Sequence, residues 1–300
     1  MIVRLIGVPF DGMGREPGQA GAPAALRAAG LEPALSPREI STRPDLPVPA
    51  ARAERDPESG LLNGRALGTM IRELHAELSA SISAGQFPLV YGADCSVLLA
   101  AIPALRDTVG EPGLLFIDGH EDATPTERSP DGEAANMEIA VLLGRTGEGL
   151  PQPIGGAFGA LKPDALVMLG PHDHAWRHPL GVGTVAEAVA VRSSDEVATD
   201  PAGSARDAVR RISSQTSNWW LHTDLDVLDE REFSARGAPG EVQLAGGLTW
   251  THLEEVVRTA LRSGGCRGLS LVIYNPELDA DRSQARLIVQ FVAAIAPDLP

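Results

Sequence analysis

Lysine is almost missing from this 300-residue chain. Lys162 is its only one, and 25 basic residues face 40 acidic ones, a formal net charge of -15 at pH 7. A surface this negative repels phosphate backbones, and no run of Arg or Lys reverses the field locally, which argues against nucleic-acid partners and anionic membranes. Long apolar runs are missing too. No stretch approaches the ~20 residues of a membrane span, and Met1-Ile2-Val3-Arg4-Leu5-Ile6-Gly7 lacks the charged start and long apolar segment of a secretion signal. The expected location is the cytoplasm. Cysteine is scarce, with Cys95 and Cys266 far apart in sequence. In a reducing compartment no disulfide is expected, which leaves Cys95 available for other chemistry.

Aromatic residues make up only 4% of the chain, yet 43% of it is hydrophobic. That apolar fraction excludes a disordered chain, and the length suffices for one large α/β domain or two ordinary ones. Residues 2–8, 87–91, 114–117, 165–169, 219–224 and 269–273 read as strands, most of them apolar on both sides as buried parallel strands are. Residues 22–29, 64–84, 96–105, 136–143, 203–214, 251–263 and 279–294 read as helices. Alternating βα units predict a doubly wound parallel sheet. The Pro- and charge-rich segment 32–60 reads as a surface connection, because neither flank closes a core alone, so one domain over residues 1–300 is expected.

In open parallel sheets, ligands bind beyond the carboxyl ends of the strands, so the polar residues that end apolar runs are the candidates. Leu114 to Ile117 ends in Asp118-Gly119-His120-Glu121-Asp122, and Trp219-Trp220-Leu221 ends in His222-Thr223-Asp224-Leu225-Asp226 with Asp229 following. Phe87 to Tyr91 ends in Gly92-Ala93-Asp94-Cys95-Ser96. Carboxylates at i and i+2 on extended chain point to one side, so Asp224 joins Asp226, and Asp118, His120 and Asp122 converge. Such a cluster repels itself unless a cation neutralises it, and oxygen donors with one imidazole suit Mn²⁺ or a similar ion. Each cluster alone also fits a solvated strand-to-loop junction with Asp caps. Two of them after buried strands favour the metal reading.

These segments resemble the arginase/agmatinase (ureohydrolase) superfamily. Ile6-Gly7-Val8-Pro9-Phe10 with residues 18–31 looks like its opening strand, loop and first helix. Gly92 to Ser96 resembles G-G-D-H-S, Asp118 to Asp122 resembles D-A-H-x-D, and Thr223 to Asp229 resembles x-D-x-D-x-x-D. Gly246-Gly247-Leu248-Thr249 and Tyr274-Asn275-Pro276 match the G-G-L-T and x-N-P segments. The resemblance implies a three-layer α/β/α fold with a central, mainly parallel sheet. It implies a binuclear Mn²⁺ centre that activates hydroxide to hydrolyse a C–N bond, with metal ligation carried onto Cys95, Asp118, His120, Asp122, Asp224 and Asp226. A homo-oligomer is compatible with it, although no interface is legible in the sequence.

Three positions depart from the family pattern. Cys95 stands where the first motif has histidine, and a softer thiolate makes Zn²⁺ an alternative to Mn²⁺. Ala135 stands where the G-N-x-H-G segment has its catalytic histidine, so that proton shuttle is missing. Ile273 stands where a glutamate grips the guanidinium, and a buried guanidinium without a carboxylate is penalised. Asp131 and Glu133 occupy the register that holds a substrate carboxylate, which disfavours plain L-arginine. His222 and Glu133 are the candidates for the missing proton chemistry, with Glu138 a further one; His222, on the side of its strand that faces the metals, is readable as a ligand or a base behind the ligands and equally as an ordinary buried histidine. His172 and His174 are expected on a loop rimming the cleft, and Glu277, Asp279 and Asp281 at the start of the last helix.

Two readings follow. The first is a binuclear-metal hydrolase that cleaves a C–N bond of a small guanidino, linear amidine or amide compound. The second is a metal-binding or regulatory protein that keeps the fold without hydrolysis.

Overall fold

The computed structural model describes residues 1–15, 17–237 and 246–300. Eight strands form one sheet: β1 (Val3–Gly7), β2 (Ile40–Ser41), β3 (Phe87–Tyr91), β4 (Gly113–Ile117), β5 (Leu166–Gly170), β6 (Ala190–Ser193), β7 (Trp219–Asp224) and β8 (Cys266–Val272). Their order is β2-β1-β3-β8-β7-β4-β5-β6, and every pairing is parallel. The α-helices are α1 (Ala22–Ala28), α2 (Leu31–Ala34), α3 (Gly64–Ser83), α4 (Leu98–Val109), α5 (Glu138–Leu142), α6 (His174–Arg177), α7 (Ser194–Thr199), α8 (Pro201–Ser213), α9 (Trp250–Arg262) and α10 (Ser283–Ile295).

Side chains alternate across a strand, and here the alternation feeds two separate cores. Val90, Leu114, Phe116, Met168 and Trp220 pack with α3, α4 and α5. Leu89, Leu115, Ile117, Val167, Trp219 and Leu221 pack with α1, α8, α9 and α10 on the other face. Both faces of each central strand are therefore buried, which is why these runs are apolar throughout rather than alternating. The expected three-layer arrangement is what the chain adopts, and its sheet is entirely parallel among the described residues.

The strands predicted from sequence fall on β1, β3, β4, β5, β7 and β8, while the edge strands β2 and β6 carry too little apolar signal to be read. They are two and four residues long and only half-buried. The predicted helix over 96–105 begins as a single 3-10 turn at Cys95–Val97 and becomes α4 at Leu98. The last helix starts at Ser283 rather than at residue 279, because Asp279 is spent on capping: its carboxylate accepts from the Gln284 and Ala285 amides and from Tyr274 Oη. Asp281 caps alongside it through the Ser283 amide, whereas Glu277 turns away and accepts from the Gly18 amide.

The order of strands decides where a site can form. The chain builds outward through β1 and β2 on one side and through β4, β5 and β6 on the other, and β7 and β8 fill the gap between β3 and β4. The carboxyl ends of β3, β8, β7 and β4 are thus neighbours at the point where the strand order reverses, the usual ligand crevice of an open α/β sheet. Register keeps them level: Phe116 lies opposite His222, and His222 opposite Ser270.

Gly268 on β8 is required by close approach, since a methyl group there would collide with the Trp220 ring on β7. Trp220 is fully buried and has no room to yield. Gly268→Ala should therefore destabilise the fold by about 1–3 kcal/mol, read as a lowered midpoint in urea unfolding, whereas Gly264→Ala, which meets open space, should show a smaller loss attributable to its positive φ.

Candidate metal centre

Three strand ends deliver most of the cluster. β3 runs into Gly92-Ala93-Asp94 and the turn that carries Cys95; β4 runs into Asp118, His120 and Asp122; β7 ends in His222 and Asp224, with Asp226 in the next turn. Backbone amides hold the carboxylates in place. The His120 amide donates to Asp118 Oδ1 (2.7 Å), the Asp226 amide to Asp224 Oδ1 (2.7 Å) and the Gly119 amide to Asp226 Oδ1 (3.0 Å). Asp94 faces away from the cluster and fixes its own loop, accepting from the Gly12 and Ser96 amides and the Ser96 hydroxyl.

Among the described residues three groups of donors converge, each with its ligand atoms within 4.8 Å of one another. These are Cys95, Asp118, His222 and Asp224; Cys95, Asp122 and Glu138; and Asp118, His120 and Asp122. Of the six expected ligands, Cys95, Asp118, His120, Asp122 and Asp224 are thus brought together. Asp226 joins none of these groups and instead places Oδ2 2.9 Å from His120 Nδ1. Two buried residues outside the expected ligand set, His222 and Glu138, enter the cluster.

The carboxyls and the thiol of the three donor groups all shift upward, whereas Asp226, paired with His120, is held below the usual carboxylate range. Burial first, and then the charge of neighbouring carboxylates, pushes Asp122, Asp224 and Glu138 well above the usual carboxylate range. Asp118 is raised by the same causes. Burial, Asp224 and Asp118 push the Cys95 thiol up as well, and Cys95 Sγ donates to Asp224 Oδ2 at 2.7 Å. Burial disfavours the charged His120 imidazole, but Asp226 more than offsets it and raises its pKa well above the ordinary value. For His222 burial outweighs the opposing charge of Asp226 and lowers its pKa to about 3.

Negative charge is therefore packed here in excess of the positive charge available, and protons make up the difference. A divalent cation is what would return the carboxylates and the thiol to their ionised forms. Orphaned polar atoms point the same way. Glu138 is 0% exposed, and among the described residues neither of its oxygens has a hydrogen-bond partner; His222 is 0% exposed with Nε2 likewise unpartnered. Buried polar atoms rarely go unpaired. The donor set fits a divalent metal pair.

Backbone strain surrounds the same place. Ala93, Asp122 and Ile273, at the ends of β3, β4 and β8, have φ of 62°, 42° and 63°. A β-branched residue with positive φ is a genuine outlier, and each such residue costs of order 1–3 kcal/mol.

Above the cluster lies a cleft of about 290 Å³, lined by Cys95, His120, Asp122, Asp224 and Asp226 at its floor and by Arg15, Asp131, Glu133, Ala135, Trp176 and Ile273 around it. A larger hollow between residues 49 and 66 brings together no comparable donor group. The two departures at Ala135 and Ile273 both face the cleft. Glu133 Oε2 accepts from Asn136 Nδ2 at 3.0 Å, and burial, followed by the charges of Asp94 and Asp131, pushes its carboxyl up to about 8. His172 lines the cleft as expected, with Nδ1 3.0 Å from the Gly170 carbonyl. His174 does not: it opens α6, is exposed, and stands beside His178.

Sequence reasoning did not single out Arg236. It is buried, its guanidinium donates to the Asp226 and Leu228 carbonyls, and it lines the cleft. No periodic pattern marked it, because it follows β7 in irregular chain. Glu138 did leave a signal, as a single carboxylate in the apolar run from Met137 to Leu142.

A match to the Arginase family covers residues 2–296. The chain belongs to the Arginase family. The arginase of Staphylococcus aureus (strain MRSA252) is 26% identical over 97% of this chain and 95% of its own. In structure, this family member is similar to the crystallised arginase from Bacillus cereus, with a TM-score of 0.83 at 23% identity over 99% and 98% of the two chains. Formimidoylglutamase from Bacillus subtilis shares the fold at a TM-score of 0.74 and 19% identity, over 99% and 86%. Positions 95 and 135, where the motifs resembled in the sequence carry histidine, hold Cys and Ala in this chain.

Glu133 generates a prediction about stability. A carboxyl whose pKa is raised on folding binds its proton more tightly in the native state, so its contribution favours folding at low pH and is lost as pH rises toward 8. Glu133→Gln should match wild type in urea unfolding near pH 5 and exceed it near pH 8.5. Parallel pH profiles for the two proteins would refute the assignment.

Proposed function

We propose that this Arginase-family chain is a binuclear-metal hydrolase that cleaves a C–N bond of a small guanidino, amidino or amide compound other than free L-arginine, and that it works in the cytoplasm. The observation that carries this reading is the buried cluster itself, in which carboxylates from β4 and β7 and the Cys95 thiol sit within ligation distance of one another. Cys95, Asp118, His120, Asp122, Asp224 and Asp226 are the proposed ligands, with Mn²⁺ or Zn²⁺ as the ions. Such a pair, when bound, makes hydroxide available near neutral pH and polarises a planar carbon.

The rest of the work falls to the chain. Asp226 orients His120, and the Gly119 amide orients Asp226, so the imidazole is held for one direction of coordination. Glu133 stands over the cleft next to Ala135. With its carboxyl pushed up to about 8 it carries a proton near neutral pH and can hand it to a departing nitrogen, replacing the family's histidine. Asn136 holds the Glu133 carboxyl in place. Ile273 offers an apolar wall where the family pattern grips a guanidinium with a carboxylate, so a charged guanidinium would lose hydration without gaining a partner. The substrate group at that wall is therefore uncharged or shielded, as in an acylated or N-hydroxylated guanidine or an amide. Arg15, held by Asp11, supplies positive charge at the rim.

The test is a panel of plain and substituted guanidines, amidines and amides, assayed for ammonia, amine or urea release with protein loaded with Mn²⁺ or Zn²⁺ and with protein stripped by chelator. Turnover should require metal and should favour a substituted or uncharged substrate over L-arginine by at least about tenfold, about 1.4 kcal/mol. Asp118→Asn and Asp224→Asn should abolish it together with metal content. Absence of any turnover in fully loaded protein would favour the second reading, a metal-binding protein without hydrolase activity, for which the losses at Ala135 and Ile273 speak.

A further inference from the structure

We propose that His222 is a metal ligand through Nε2, completing with Cys95, Asp118 and Asp224 a site of one nitrogen, one sulfur and two oxygens that takes Zn²⁺ in preference to Mn²⁺. The inference rests on the metal-centre reading above and deepens it, since no family motif assigns position 222.

His222 occupies β7 two residues before Asp224, on the same face of the strand, so both side chains rise toward the α4 and α5 side of the sheet. A ring nitrogen of His222 lies within 4.8 Å of the donor atoms of Cys95, Asp118 and Asp224, all four residues being buried. Nδ1 is already engaged, 2.7 Å from Ser270 Oγ on the adjacent strand β8. Ser270 Oγ in turn accepts from Trp220 Nε1 at 2.9 Å. The nitrogen left over is Nε2, and it has no partner among the described residues. Phe116, opposite His222 in register, stacks on the imidazole with centroids 5.2 Å apart and ring planes 6° apart, which favours this ring plane.

This is the arrangement of a ligating histidine. One ring nitrogen is fixed by a hydrogen bond to a neighbour that is itself held, one ring face is covered by Phe116, and the other nitrogen has no partner among the described residues in a residue packed beside two carboxylates and a thiol. With Nδ1 donating to Ser270 Oγ, Nε2 presents its lone pair to the cluster. A histidine buried for packing alone would leave that nitrogen unpaired in a ring packed beside Cys95, Asp118 and Asp224.

The donor set also bears on which ion is held. Carboxylates alone suit Mn²⁺, whereas a thiolate with an imidazole and two carboxylates in a fourfold group suits Zn²⁺. Cys95 stands in the turn after β3 where the family motif has histidine, and His222 supplies an imidazole from β7, so the nitrogen donor is moved across the site rather than lost.

The experiment uses the full chain, loaded separately with Zn²⁺ and Mn²⁺, and reads metal content by elemental analysis for wild type, His222→Gln and Glu138→Gln. In parallel, the histidine ring nitrogens of ¹⁵N-labelled wild type are followed by NMR as Zn²⁺ is added. The expected result is about two ions per wild-type chain, and in His222→Gln the loss of one, or a weakening of Zn²⁺ binding by at least about tenfold with Mn²⁺ binding less affected. The His222 Nε2 resonance of the wild type should move on Zn²⁺ addition. Two ions retained at unchanged affinity in His222→Gln, or loss of an ion from Glu138→Gln alone, would overturn the assignment, as would an unmoved Nε2 resonance in protein that holds both ions. The NMR arm stands even where the His222 variant does not fold. A wild type that takes no ion under either condition would bring down the metal-centre reading itself, and this inference with it.

Discussion

Buried negative charge at the carboxyl ends of β3, β4 and β7 is the constraint on which the rest of this structure depends. Asp118, Asp122, Asp224 and Glu138 lie with the Cys95 thiol in an interior that shields them poorly from one another. Isolated ionised carboxylates are too expensive to bury. The fold tolerates them in two ways: through backbone amides of the tight turns after β4 and β7, and through protons that the raised pKa values retain. A divalent cation is a third and stronger way, which couples metal affinity to pH and to folding.

The scaffold around the cluster is built to hold it still. Trp220, Ser270 and His222 form one chain of hydrogen bonds across β7 and β8, and Gly268 makes the space that lets the Trp220 ring lie flat against the neighbouring strand. On the rim, Asp11 gathers the Met13 and Gln19 amides and the Arg15 guanidinium, and so fixes the loop that closes one side of the cleft. Strained backbone at Ala93, Asp122 and Ile273 persists because the surrounding β-ends leave no alternative path.

The chemistry of the cleft differs from the family pattern in a coherent way. Ile273 removes a negative charge from the wall and Ala135 removes an imidazole from the roof, while Glu133 brings a carboxyl whose raised pKa keeps a proton available. Both changes lie on the cleft wall and leave the buried group of carboxylates beneath it in place, so on the proposed reading it is substrate recognition that differs while the donor cluster stays.

The sequence by itself determined the six central strands, the three-layer class and the positions of the acidic strand ends, because buried parallel strands need continuous apolar runs and the chain marks their ends with Asp and His. It also determined the departures at Cys95, Ala135 and Ile273, which are visible as substitutions within recognisable motifs. It left the edge strands β2 and β6 unread, since short half-buried strands carry little apolar signal. Only the tertiary structure decided that Glu138 from α5 meets Cys95 and Asp122, that Arg236 backs the cleft, and that, among the described residues, Asp226 pairs with His120 rather than joining the donor groups and His222 Nε2 has no partner. These are contacts between elements far apart in sequence, fixed by strand order, and neither spacing nor periodicity along one segment encodes which side chain of another segment will stand across from it.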